Sequence, residues 1–133
     1  MAHRLHDIGI ASQIGRYSDA VEIEPNARWL WTAGTPGLTL HGDLPADVTG
    51  QAEIAWMHIL NLLKRASMTV SDIVKVTQYL VSDGDIAAYA AVRSRFLGDA
   101  KPASMLLLVP GLVRPEFKLE IEVFAACPPA RLQ

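Results

Sequence analysis

Few side chains in this 133-residue chain combine the reactivity and the spacing that chemistry requires. The one cysteine, Cys127, sits in "ACPPARLQ", which reads as a Pro-rich, loosely tied end. A lone thiol rules out an intrachain disulfide and a Cys-rich zinc site, and its placement argues against a catalytic nucleophile. Among the histidines, His3 and His6 fall in an unpatterned start, His41 in a loop and His58 within a helical pattern. His58 could serve as a proton shuttle but has no partner at metal-ligand spacing, so no metal site is expected. "GTPG" lacks the lysine and following helix of a P-loop, and no Ser-His-Asp order or Cys-His pair stands out. Glu120 and Glu122 alternate with Leu119, Ile121 and Val123, and taken alone they read as the solvent side of a strand.

Composition narrows the classes further. Half of the residues are apolar, 20% are charged and the formal net charge is -2. A single domain spanning 1–133, able to bury a core without staples, is expected. Its twelve Lys and Arg residues are scattered, with no basic run longer than Lys64-Arg65. That argues against a nucleic-acid binder working by phosphate neutralisation. "MAHRLHDIGI" lacks the apolar core of a secretory signal. The longest apolar run, "MLLLVPGLV", is broken by Pro110 and too short to cross a bilayer. A cytoplasmic protein with no membrane partner is expected.

The elements that must position any site follow from periodicity. "AVEI" (20–23) and "RWLWTAG" (28–34) are β-type runs separated by the turn residues Pro25 and Asn26, which predicts a hairpin. The Gly/Pro-rich stretch 34–45 reads as an ordered loop. From Asp47 to about Ala66, apolar residues recur every three or four positions, Val48, Ala52, Ala55, Trp56, Ile59, Leu60 and Leu63 among them, which predicts a helix. "IVKVTQYLV" (73–81) is a central-strand pattern with two apolar faces. "SDGD" offers N-cap oxygens to a second helix carrying Ile86, Tyr89, Val92 and Phe96. "MLLLV" is a further strand, and "EFKLEIEVFAA" alternates, with Phe117, Leu119, Ile121 and Val123 on one side. The order β-β-α-β-α-β-β predicts an α+β fold of two layers, a mixed sheet with both helices on one face. The other face is then bare, and a chain of this size covers such a face by self-association.

Several of these pieces resemble the Rid family, also called YjgF/YER057c/UK114. "IGRYSDAV" (14–21) is similar to its I-G-P-Y-S-x-A-V, and "LWTAGT" (30–35) to its strand ending in S-G-Q. The helix with Gln51, Ala55, Ile59 and Leu63 matches in register, as do "DIVKVTQYLVSDGDIAAY" (72–89), "KPAS" and "LEIEVFAA". The resemblance covers about 14–126, with loosely ordered ends outside it. It implies a chorismate-mutase-like fold, a homotrimer with its sheets inside, and small-molecule clefts between subunits. The implied activity is hydrolysis of reactive 2-imino or enamine acids to 2-oxo acids and ammonia, without a metal or organic cofactor.

The resemblance also assigns roles. Glu120 matches the glutamate that orients or deprotonates the attacking water, and Tyr17 the tyrosine at the cleft mouth. Thr32 and Thr35 match polar wall positions. The arginine that holds the substrate carboxylate corresponds to Ser104, a neutral group with one donor, unable to make the paired, charged contact of a guanidinium. Arg16 replaces the proline of I-G-P-Y-S, His58 and Ala90 replace asparagines, and one extra residue near "GLVRPEF" brings Arg114 into a loop. Arg16 or Arg114 is a candidate to supply the missing charge. The reading is therefore a Rid-like homotrimer binding a small ligand. It would be a hydrolase or deaminase of an imine or enamine metabolite, though not of the usual 2-imino acid type. A less acidic or bulkier, more apolar substrate would suit "MLLLV". The alternatives are a non-catalytic ligand-binding or regulatory protein and, weakest without a basic patch, a ribonuclease or translation inhibitor.

Overall fold

The computed structural model describes residues 3–129. In order, its strands and helices are β1 (His3–His6), β2 (Ala20–Ile23), β3 (Arg28–Trp31), α1 (Val48–Arg65), β4 (Ile73–Leu80), α2 (Ile86–Leu97), β5 (Ala103–Leu108) and β6 (Leu119–Cys127). Four strands form a mixed sheet in the order β3-β6-β4-β5, with β4 and β5 parallel and the other pairs antiparallel. The α+β architecture matches the expected one.

Both helices cover one face. Val48, Ala52, Trp56, Ile59 and Leu63 of α1 and Tyr89 and Val92 of α2 form one core with Val76 and Leu80 of β4 and Leu119, Ile121 and Val123 of β6. The 3.6-residue period of the helices thus meets the 2-residue period of β6. Asp47 caps α1 by accepting from the Gly50 amide at 2.8 Å, where the sequence placed the helix start. Gly98, at φ 57°, ends α2 in a conformation that costs glycine least and turns the chain toward β5.

Four expectations need correction. First, β2 and β3 do not form a hairpin: β2 pairs with β1 in a separate two-stranded sheet, and β3 pairs with β6. Asn26 does turn the chain, at φ 69°, but each strand finds its partner far away in sequence. Second, His3 and His6 therefore lie in a strand. His3 is within hydrogen-bonding distance of the Ala126 carbonyl at 2.8 Å, and His6 of the Glu22 carboxylate at 2.8 Å. Third, "SDGD" folds into a 3-10 turn, and no side-chain oxygen caps α2. Fourth, Cys127 is fully buried at the end of β6, in contact with the Arg28 guanidinium at 3.0 Å. Most of the Pro-rich end that follows lies outside the described residues.

One buried polar side chain sets where β6 begins. Gln51, 1% exposed, donates to the Pro45 carbonyl (2.9 Å) and the Glu116 carbonyl (3.3 Å), and accepts from the Lys118 amide (2.8 Å). The first turns of α1 are thereby tied to the loop on either side of Phe117. Gln51→Leu would keep the volume and leave these groups without partners. We expect a loss of about 2–3 kcal/mol in urea unfolding, from the usual cost of orphaning buried polar groups; a loss below ~0.5 kcal/mol would show that the contact is incidental.

Candidate functional site

The segment before β2 is held against β5 by one serine. The Ser18 hydroxyl donates to the Lys101 carbonyl at 2.6 Å and its amide to the Pro102 carbonyl at 3.2 Å, and Ser18 bridges to Ala103 in parallel fashion. Upstream, the Asp19 carboxylate accepts from the amides of Ile8 (2.7 Å) and Ala11 (2.8 Å), which lowers its pKa. These contacts put Tyr17 beside the start of β5. Tyr17 and Ser104 line one cavity of about 530 Å³, together with Ile86, Ala90, Arg93 and Leu106.

Behind that cavity lies a polar core that the sequence did not announce. Gln78 of β4 is 0% exposed, and all four hydrogen-bonding positions of its amide are used. Its Nε2 donates to Ser104 Oγ (3.1 Å) and the Met105 carbonyl (2.9 Å). Its Oε1 accepts from the Tyr89 hydroxyl (2.7 Å) and Arg93 (3.0 Å). The orientation of the amide is forced, because a carbonyl only accepts and a guanidinium only donates. Burial pushes the Tyr89 hydroxyl far above the usual tyrosine range, so it stays a neutral donor. The parallel register that sets Val76 opposite Ser104 and Gln78 opposite Leu106 brings β5 into reach.

Glu120 lies elsewhere. It belongs to the sheet face turned away from the helices, opposite Tyr79, and does not line the Tyr17 cavity. Partial burial raises its carboxyl pKa above the ordinary 4.5, so it keeps its proton to higher pH than an exposed glutamate. The neighbouring backbone crosses tightly: Thr35 exchanges two backbone hydrogen bonds with Ile121 (2.8 and 3.1 Å), while the Thr32 hydroxyl accepts from the Val123 amide (3.0 Å) and donates to the Ala33 carbonyl (3.0 Å). The Thr35 hydroxyl also donates to Ala33, at 3.2 Å. Both threonines therefore spend their hydroxyls on holding the turn beside Glu120. At Gly34 a side-chain Cβ would stand 2.5 Å from the Glu120 carboxylate oxygen, so only glycine leaves that oxygen its place.

The two arginines expected to compensate for Ser104 do not line the cavity. Arg16 donates to the Gly98 carbonyl at 2.7 Å and approaches Asp99 at 3.5 Å. Arg114 lies over the Phe117 ring, 5.4 Å from its centroid. Among the described residues, the cation that does line it is Arg93, which nothing in the motif pattern singled out. Its one legible signal was its place three residues after Ala90 and four after Tyr89, on the same side of α2. His58 reaches the Leu38 carbonyl at 2.7 Å and so ties the 34–45 loop to α1. Among the described residues, no cluster of three His, Cys, Asp or Glu side chains could hold a metal ion, and no helix is long and apolar enough to cross a membrane.

Fold and site together define a small two-layer α+β protein with a ligand-sized cavity along an edge strand and a desolvated carboxylate on its open sheet face. The family model described as Endoribonuclease L-PSP matches residues 10–127, and the chain belongs to that family, the Rid (YjgF/YER057c/UK114) family. A RutC family protein of Haemophilus influenzae is 29% identical over 94% of this chain and 97% of its own length. Escherichia coli TdcF, provisionally named a reactive intermediate deaminase, is 28% identical over 84% of this chain and 87% of its own. The crystal structure of the Rid-family protein YyfB from Yersinia pestis superposes with a TM-score of 0.83 at 26% identity, covering 96% of this chain and all (100%) of that one. TdcF with bound serine superposes at 0.71 and 26% identity, covering 86% and 90%. The chain thus carries a Rid-type function in general terms.

Gly34→Ala tests the placement of Glu120. The clash falls on the end of a flexible side chain, so we expect stability within about 1 kcal/mol of wild type. The displaced carboxylate becomes better hydrated, and its pKa in an NMR titration should fall toward 4.5. An unchanged titration would mean that Gly34 does not position it.

Proposed function

We propose that the protein hydrolyses the C=N bond of a small imine or enamine metabolite in clefts shared between the chains of a homotrimer. The observation that supports this is the separation of the two halves of the site: Tyr17 and Ser104 line one cavity, while Glu120 stands on the open sheet face, outside it. A neighbouring chain would bring its Glu120 to that cavity.

The open face is suited to such a contact. Trp29 is 49% exposed, Trp31 68% and Met105 48%, and Trp31 stacks on Phe124 with centroids 4.6 Å apart. Aromatic and methionine side chains of this kind gain most when buried against a partner. In the cleft, ionised Glu120 would orient a water, take its proton as the oxygen adds to the C=N carbon and pass that proton to the nitrogen, giving a neutral carbinolamine. As this collapses, the hydroxyl proton moves to the nitrogen, again by way of Glu120, the carbonyl forms, the C–N bond breaks, and ammonia leaves with Glu120 ionised once more.

The test is loss of an imine generated in situ by an amino-acid oxidase. Wild type should accelerate it, and Glu120→Gln should lower kcat by about 10²- to 10⁴-fold. Because only the ionised carboxylate accepts a proton, activity should fall as pH drops through an apparent pKa above 4.5, and Glu120→Gln should lack this limb. Inert wild type would leave a ligand-binding protein instead. The shared cleft has its own check: mixed oligomers of Tyr17→Ala and Glu120→Gln chains should regain activity that neither has alone, and absence of rescue would place both halves in one chain. Trp31→Asp should convert trimer to monomer in light scattering; a monomeric wild type would overturn the assembly.

A further inference from the structure

We propose that Arg93 of α2, together with the Ser104 hydroxyl, is the oxyanion anchor of the Tyr17 cavity, so that its ligand ends in a carboxylate. This rests on the reading of that cavity as half of the reaction cleft, and it names the substrate class and the residue that selects it.

The inference comes from which hydrogen-bonding capacity is left over. Gln78 donates to Ser104 Oγ, so the Ser104 oxygen acts as an acceptor toward the core. Its own proton has no acceptor among the described residues, and it sits in the cavity wall. Arg93 gives one N–H to Gln78 at 3.0 Å. No carboxylate lies within ion-pair distance of Arg93 among the described residues, so most of its fork is uncommitted. The Tyr17 hydroxyl likewise has no partner there. Among the described residues, no aspartate or glutamate lines the cavity. Its polar inventory is therefore one fixed positive charge and two hydroxyls, against apolar walls from Ile86, Ala90 and Leu106.

A guanidinium with free N–H groups matches a planar carboxylate with two parallel bonds, which a neutral carbonyl cannot use fully. A doubly charged phosphate would call for more positive charge than the single arginine here. Position also supports the assignment. Ala90 and Ser104 are short, and Arg93, one turn beyond Ala90, is half-buried over them. The guanidinium is held on one side by Gln78 and on the other by the Tyr89 ring, 5.6 Å from its centroid. An arginine held at two points loses little freedom when it binds. The charge comes from the helix beside β5 instead of from β5 itself, and a ligand need not be less acidic because position 104 is a serine.

The experiment compares a carboxylate with its neutral amide: pyruvate against pyruvamide, and 4-methyl-2-oxopentanoate against its amide, titrated into the full chain by calorimetry. Wild type should prefer the acid of at least one pair by about tenfold or more, the weight of a charge-assisted hydrogen bond. Arg93→Gln should weaken acid binding by about 10- to 100-fold, leave amide binding nearly unchanged and so erase the preference. A merely structural role would weaken acid and amide alike. Ser104→Ala should weaken the acid by a smaller factor. If Arg93→Gln does not fold, Arg93→Lys carries the test: it keeps the charge but loses the fork, and acid binding should drop about fivefold or more. Wild type without acid preference, or an Arg93→Gln or Arg93→Lys variant that binds acids as wild type does, overturns the anchor. Failure of the two readings is distinguishable. Arg93-dependent acid binding with no imine turnover keeps the anchor and removes the hydrolase; turnover with no acid preference does the reverse.

Discussion

The saturated amide of Gln78 is the contact on which the rest of the site depends. It lies among the buried apolar residues Val76, Leu80 and Ile121, where an unpaired amide would cost more than a satisfied one gains. All four of its positions are filled, two from β5 and two from α2. Those bonds fix the lateral position of β5 against β4 and the rotation of α2 above them. They also decide which way the Ser104 hydroxyl and the Arg93 guanidinium are turned. A hydrophobic residue at this place could pack the core equally well, but it would leave those two side chains without orientation.

The second constraint is the pleat of β6. Successive residues alternate between faces, so the residues that bury Leu119, Ile121 and Val123 against the helices put Glu120, Glu122 and Phe124 on the far side. The Glu120 carboxylate is thereby committed to the open face, together with the exposed tryptophans of β3. Gln51 sets the start of the strand and Gly34 leaves space for the carboxylate. The Glu120 carboxylate and the exposed tryptophans thus share one side of the sheet, in keeping with the proposed cleft that a neighbouring chain would complete.

Position 104, where the resemblance leads one to expect an arginine, illustrates why a single motif position is a poor guide to a ligand. A serine lacks a charged fork, and by itself argues for a less acidic ligand. The cavity wall, however, holds more donors than that one hydroxyl. Arg93 enters the same wall from an element eleven residues earlier in the chain, and the expected candidates, Arg16 and Arg114, are committed to Gly98 and to Phe117.

The sequence by itself determined the local elements and the layers. The apolar periods of 48–65 and 119–127, the Asp47 cap and the β-branched run at 73–80 were all legible, because each depends on neighbours within a turn or a pleat. Family membership was legible too, from many short matches in order. The tertiary structure alone decided the partners. β2 pairs with the first strand and not with β3, since strand pairing is set by long-range register that a turn at Asn26 does not control. Cys127 is core because β6 runs on through it. The Gln78 network was hidden because a glutamine in an apolar strand carries no sign of its partners: Tyr89, Arg93, Ser104 and Met105 are up to 27 residues away, and only packing brings their donors and acceptors to one amide.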